Sequence, residues 1–215
     1  MKGSFSAWKE GLPYYIPFLI VGVALVMLFR HSPYVYAAVP FFLAGFACLM
    51  FFRDPPRRVS ARENEVVCPA DGTIVGIEDL PDSPYYSGPS RRVSIFLSVL
   101  DVHVNRSPFD GRVTCIKYQP GRFVNAMKSE SSRTNESNAI WMDTEHGGVT
   151  VRQISGAIAR RIVCRTAEGD ELAKGEKIGM IKFGSRTELY LPPATPVCVK
   201  IRDKVQAGIT VVARF

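Results

Sequence analysis

Phe52-Arg53-Asp54-Pro55-Pro56-Arg57-Arg58 divides the chain into two parts with different grammars. The paired prolines end any helix arriving from the N-terminal side, because each lacks an amide donor and its ring clashes with the preceding turn. Before this stretch, Tyr14 to Phe29 and Pro33 to Phe52 are uncharged apolar runs of 16 and 20 residues, separated only by Arg30-His31-Ser32. At 1.5 Å per residue they reach about 24 and about 30 Å, the second matching a bilayer's hydrocarbon core. The pattern predicts a membrane-anchoring helical hairpin over residues 1–53, spanning or re-entrant, with Pro17, Pro33 and Pro40 allowing kinks. Lys2 and Lys9 precede it and Arg53, Arg57 and Arg58 follow, against Arg30 alone at the turn. That bias places both ends on the cytoplasmic side of a cell membrane.

Beyond Arg58 the chain reads as β structure punctuated by glycine and proline. Val66-Val67 leads into Pro69-Ala70-Asp71-Gly72, then Thr73 to Ile77. Arg92 to Val104 puts Val93, Ile95, Leu97 and Val99 on one strand face. Gly148 to Gln153, Thr195 to Ile201 and Gly208 to Phe215 read similarly, and only Ala157 to Cys164 carries a helical pattern. Pro81 to Arg91 is turn chemistry throughout. Pro120 to Asn138 is a long polar loop in which Phe123 and Met127 add apolar bulk. Pro69 to Gly76 and Gly175 to Ile181 echo one another as turn–strand pieces like those of lipoyl carriers. The expected domain over 54–215 is therefore mostly β and barrel-sandwich-hybrid-like, preceded by the apolar helical hairpin.

Composition narrows the function. Of 27 basic and 20 acidic residues, 23 and 19 follow the hairpin, so most of the +7 net charge is not concentrated on one stripe. This argues against a nucleic-acid partner and suits an anionic membrane surface or substrate. Five cysteines, scattered and without a CxxC pair, support neither a disulfide framework nor a zinc site. No metal is expected. Of three histidines, His31 and His146 sit in turns, whereas His103 ends an apolar strand with Asp101 two residues earlier on the same face, placed to orient the ring. Gly184-Ser185 is a turn or bulge by ordinary reading. It is also a bond at which the Ser185 hydroxyl could attack the preceding carbonyl, since glycine admits close approach and unusual backbone geometry.

Together, in order and spacing, these segments resemble the phosphatidylserine decarboxylase proenzyme family in its short bacterial and archaeal form. The resemblance rests on the apolar hairpin, Phe52-Arg53-Asp54-Pro55, Pro69-Ala70-Asp71-Gly72, Asp101-Val102-His103-Val104-Asn105-Arg106-Ser107-Pro108, Gly121-Arg122-Phe123-Val124-Asn125-Ala126 and Phe183-Gly184-Ser185-Arg186. It implies self-cleavage between Gly184 and Ser185. The products would be a β chain ending at Gly184 and an α chain of residues 185–215 opening with a pyruvoyl group made from Ser185. That cofactor would form a Schiff base with phosphatidylserine and release CO2, giving phosphatidylethanolamine. The resemblance assigns Ser185, His103 and Asp71 as catalytic, Asp71 supporting processing and His103 handling protons. It names phosphatidylserine, the lipid surface and the two chains of one proenzyme as partners, and is compatible with a homodimer. Longer members carry a second histidine three residues after the first, the base for the processing serine; here Arg106 stands there, so either His103 takes over, Asp71 or Asp101 acts more directly, or Ser185 is activated differently, and Arg106 has a carboxylate or phosphate of the substrate as an alternative partner. Residues 120–138, with Phe123, Met127 and Lys128, are expected to line the mouth of the site.

Two other classes fit parts of the chain. A membrane-anchored lipoyl-like carrier would use Lys182, although neither Met-Lys-Met nor Asp-Lys-Ala surrounds it. A membrane-bound serine hydrolase would use Ser185 with a lysine or His103, although no Gly-x-Ser-x-Gly elbow is present. Both would keep the Gly184–Ser185 bond whole.

Overall fold

The computed structural model describes residues 6–122, 124, 131–156, 161–182 and 184–215. The chain falls into two compact units, residues 1–55 and 56–215.

In the first unit α1 (Ala7–Phe29) is followed by a 3-10 helix (Pro33–Ala38) and α2 (Val39–Phe51). The apolar run predicts a start at Tyr14, but α1 begins at Ala7 and carries Pro13 and Pro17 inside it. Its 23 residues reach about 34 Å, so the first helix no longer falls short of a bilayer. Both hairpin arms are long and apolar enough to cross a membrane. Small residues let them approach: a Cβ on Gly22 would press on the Phe42 ring, and one on Gly45 would meet Leu19. Met27 and Leu28, by contrast, are 72% and 73% exposed, an apolar surface that water would not reward.

The second unit is mostly β and curls into a half-barrel. Its elements are β1 (Glu65–Val67), β2 (Gly72–Leu80), β3 (Ser90–Leu97), β4 (Val104–Arg106) and β5 (Gly111–Gln119). The short α3 (Ser131–Thr134) precedes β6 (Ser137–Thr144), β7 (Gly147–Ile154), β8 (Ile162–Cys164) and β9 (Glu171–Leu172). Last come β10 (Lys177–Ile181), β11 (Ser185–Leu191), β12 (Lys204–Val205) and β13 (Val211–Arg214). The large sheet runs β12-β2-β3-β11-β7-β6-β5-β9, and its described pairings are antiparallel. Beside it stand a three-stranded sheet, β4-β10-β8, and the pair β1-β13. Val93, Ile95, Leu97, Val151, Leu189 and Ile140 project from the large sheet into the main core.

Several expectations are corrected. The strand predicted from Arg92 to Val104 breaks at Leu97, because the Asp101 carboxylate accepts from both the amide (2.8 Å) and the hydroxyl (2.7 Å) of Ser98 and folds the chain into a turn. Val99 accordingly leaves the core face and is 47% exposed. Thr195 to Ile201 forms no strand, only an isolated bridge at Val197, and β13 begins at Val211 rather than Gly208. The helix expected over Ala157 to Cys164 is contradicted at its described end, where Ile162–Cys164 pairs with β10; residues 157–160 lie outside the described residues. The loop after Pro81 also packs on the sheet. Tyr85 packs edge-on against Tyr190 and Trp141, and the Tyr86 hydroxyl bonds the Thr150 hydroxyl. It thus covers the face of the sheet opposite the core.

Candidate active site

β11 lies between β3 and β7, and all seven of its residues are buried. Its first residue, Ser185, pairs with Leu97 at the last position of β3. One strand further, Thr73 pairs with Phe96, so the start of β2, the end of β3 and the start of β11 share one end of the sheet. Gly184 reaches this point at φ +64°, a left-handed conformation that glycine adopts without steric cost. The Ser185 hydroxyl is buried and has no hydrogen-bond partner among the described residues. An unpaired buried hydroxyl costs on the order of 1–3 kcal/mol; Ser90 and Ser94 share that condition, and what sets Ser185 apart is its place directly after the left-handed Gly184.

His103 is fully buried and reaches the same point from the residue just before β4. Its Nε2 accepts from the Gly184 amide at 3.2 Å, and its Nδ1 lies 2.9 Å from the Asp101 carbonyl. A carbonyl can only accept, so Nδ1 carries the proton and Nε2 presents a lone pair beside the Gly184–Ser185 bond. The His103 carbonyl also accepts from Ile181 N–H at 3.3 Å. The histidine therefore holds the crossover from β10 to β11 on both sides. The expected orientation of the ring by the Asp101 side chain is corrected: the backbone carbonyl of Asp101 holds Nδ1, and its carboxylate is occupied by Ser98.

Asp71 stands on the adjoining turn. Its carboxylate accepts from Ala207 N–H and from Arg57, each at 2.8 Å, and among the described residues it bonds neither His103 nor Ser185. Burial pushes its carboxyl above the ordinary range, outweighing the pull of the Ala207 amide and Arg57, and Asp101 adds to the rise. Gly72 is required next to it: at φ +155° its missing Cβ leaves room for the Phe96 carbonyl oxygen, which any side chain would strike. Arg106 is buried, and its guanidinium donates to the Gly175 carbonyl at 2.9 Å while its amide donates to Pro69 O, also at 2.9 Å. These two bonds fasten two turns together. Phe123, Met127, Lys128 and Phe183 lie outside the described residues.

The sequence reading missed the polar residues on the core face behind Ser185. Asn138 donates to Gln153 (3.2 Å), Gln153 to Asn105 (2.9 Å), and Asn105 to Thr187 (3.2 Å), all four being buried. Thr187 follows Ser185 by two and shares its side of the strand. The available signal was Ser185-x-Thr187-x-Leu189-x-Leu191, an alternation that turns polar only towards the serine. On the opposite face Glu188 is fully buried among Arg186 (3.3 Å), Arg152 (3.6 Å) and Arg92 (3.8 Å), with the Ser132 and Tyr190 hydroxyls each donating at 2.8 Å.

This geometry meets a family match. The family model for phosphatidylserine decarboxylase matches residues 45–213. The chain belongs to the phosphatidylserine decarboxylase family. Among its relatives, the phosphatidylserine decarboxylase proenzyme of Syntrophus aciditrophicus is 40% identical over 216 aligned residues, covering all of both chains. That of Magnetococcus marinus is 42% identical, covering all of this chain and 98% of its own. That of Nitrosomonas eutropha is 47% identical over 162 residues, 75% of this chain and 74% of its own. Membership makes the chain a decarboxylase, and the relatives' names describe enzymes made as precursors.

Proposed function

We propose that this chain cuts itself between Gly184 and Ser185 and then decarboxylates phosphatidylserine to phosphatidylethanolamine. The observation that carries the reading is that His103 Nε2 accepts from the amide of Gly184 at 3.2 Å, one residue before Ser185, whose buried hydroxyl has no partner among the described residues. In the first step His103 Nε2 exchanges the Gly184 N–H for the Ser185 hydroxyl and takes its proton, while Oγ bonds to the Gly184 carbonyl carbon. The C–N bond breaks, the nitrogen gains a proton, and an ester replaces the amide. Loss of the Ser185 Cα proton expels Gly184 as a free carboxylate and leaves dehydroalanine. Water then replaces the nitrogen, which departs as ammonia.

The residues fit the resulting pyruvoyl group. It would replace the hydroxyl that now lacks a partner, and the left-handed Gly184 would become a chain end. Such a group supplies a ketone electron sink for the pair of electrons left by departing CO2, which no side chain offers. The chain's own residues do the remainder. His103 holds a proton at Nε2 for return to the substrate carbon. Thr187 and Asn105, bonded to one another on the same side as Ser185, fix the polar floor beneath it. Asp71, tied to Arg57 and Ala207 N–H, keeps the neighbouring turn in place. The apolar helices 7–29 and 33–51 hold the enzyme on the cytoplasmic face of the membrane, where its lipid substrate resides.

Intact mass under denaturing conditions, followed by release of CO2 from phosphatidylserine, tests this. We expect two fragments meeting at Gly184 and Ser185, the smaller one blocked at its N-terminus and bearing a carbonyl. A chain that stays at 23.9 kDa with a free Ser185 while active would refute it.

A further inference from the structure

The turn that follows β3 carries an exposed apolar pair. Leu100 is 83% exposed, more than any other large apolar side chain described in residues 56–215, and Val99 beside it is 47% exposed. A solitary exposed leucine would mean little. This pair differs in three respects. It is held rigidly outward, because Asp101 clamps both the amide and the hydroxyl of Ser98 and its own amide returns to Ser98 O at 2.9 Å. It adjoins the reactive bond: Val99 Cγ2 is the nearest atom, at 3.9 Å, to where a side chain on Gly184 would begin. And the same turn supplies the carbonyl that orients His103.

We infer that Val99 and Leu100 form a tip that dips into the phospholipid bilayer and seats the mouth of the site against the headgroups. This rests on phosphatidylserine being the substrate. The apolar helices tether the chain; the tip lets a lipid engage the site without leaving the bilayer, since withdrawing its acyl chains would cost the burial of many methylenes.

The test compares two forms of one substrate with the full-length chain. One is phosphatidylserine in phosphatidylcholine vesicles; the other is a short-chain phosphatidylserine kept monomeric. Leu100→Ser should lower kcat/KM on vesicles by roughly tenfold or more. Self-cleavage and turnover of the monomeric substrate should stay within about twofold, and Leu100→Phe should retain vesicle activity. Equal losses on both substrates, or none on vesicles, would overturn the proposal. Leu100→Trp gives a reading independent of catalysis: bromine-labelled lipid chains should quench its fluorescence beyond that of the native tryptophans. Absence of that extra quenching also overturns the tip. Extra quenching in a chain that decarboxylates neither substrate would uphold the tip while defeating the assigned reaction.

Discussion

His103→Gln separates the chemistry of the site from its architecture. The native ring accepts from Gly184 N–H at 3.2 Å and its Nδ1–H faces the Asp101 carbonyl at 2.9 Å, inside a fully buried position. Alanine would strand both backbone groups, at about 1–3 kcal/mol each, so a loss of about 2–6 kcal/mol of stability would confuse any result. Glutamine keeps one donor and one acceptor but cannot hold a proton as a base. If His103 is the base for Ser185, its removal takes away the 10²- to 10⁴-fold that a positioned base typically contributes, about 2.7–5.5 kcal/mol on the barrier. We therefore expect His103→Gln to fold with a urea midpoint near that of the native chain and to persist as one chain of nearly 23.9 kDa. The assay is intact mass against time after synthesis, with circular dichroism and urea titration as the fold control. A folded variant that cuts itself at a rate within threefold of the native chain would refute the assignment of His103 as the base.

Other expectations concern the supports of the site. Gly72→Ala should lower stability by several kcal/mol in urea unfolding and slow self-cleavage, because the new Cβ would strike the Phe96 carbonyl and part β2 from β3 beside Ser185; unchanged unfolding would contradict this. Glu188→Gln should cost about 3–5 kcal/mol, since three guanidinium groups would then face one another around a neutral amide; the urea midpoint reads this directly. Asp71 gives a pH signature. Its folded pKa is raised, so the native state binds the proton more tightly than the unfolded chain does, and stability relative to Asp71→Asn should fall as pH rises from about 4 through that raised value. The opposite slope in paired urea titrations would mean that the Arg57 ion pair outweighs burial.

The parts that sequence conveyed were those governed by local rules. The prolines after Phe52, the uncharged runs before it and the alternation through Val93, Ile95 and Leu97 each follow from backbone chemistry or from one-sided burial. The candidate residues at the bond, Gly184, Ser185 and His103, were identifiable by kind, and the structure adds the contact between His103 and Gly184 across 81 positions. What escaped was non-local. The break at Ser98 depends on a carboxylate three residues on, and the ladder from Asn138 to Thr187 joins four separate strands. The burial of Glu188 was equally out of reach, because nothing in its neighbourhood announces that Arg92, Arg152 and Ser132 close over it.

The central place of β11 also bears on how the protein can be made. Ser185 to Leu191 is paired with β3 at seven positions and with β7 at five, and further along the chain β13 pairs with β1. A scission before Ser185 would leave this strand seated while severing its only covalent link to the rest. The uncut chain finds its middle strand by a first-order search, at a loop-closure cost that grows only slowly with length. Two separated fragments would have to meet in solution, so recovery from denaturant would depend on concentration and compete with clumping of the exposed β3 and β7 edges. Assembly is then a single opportunity, completed before the cut and not repeated after it.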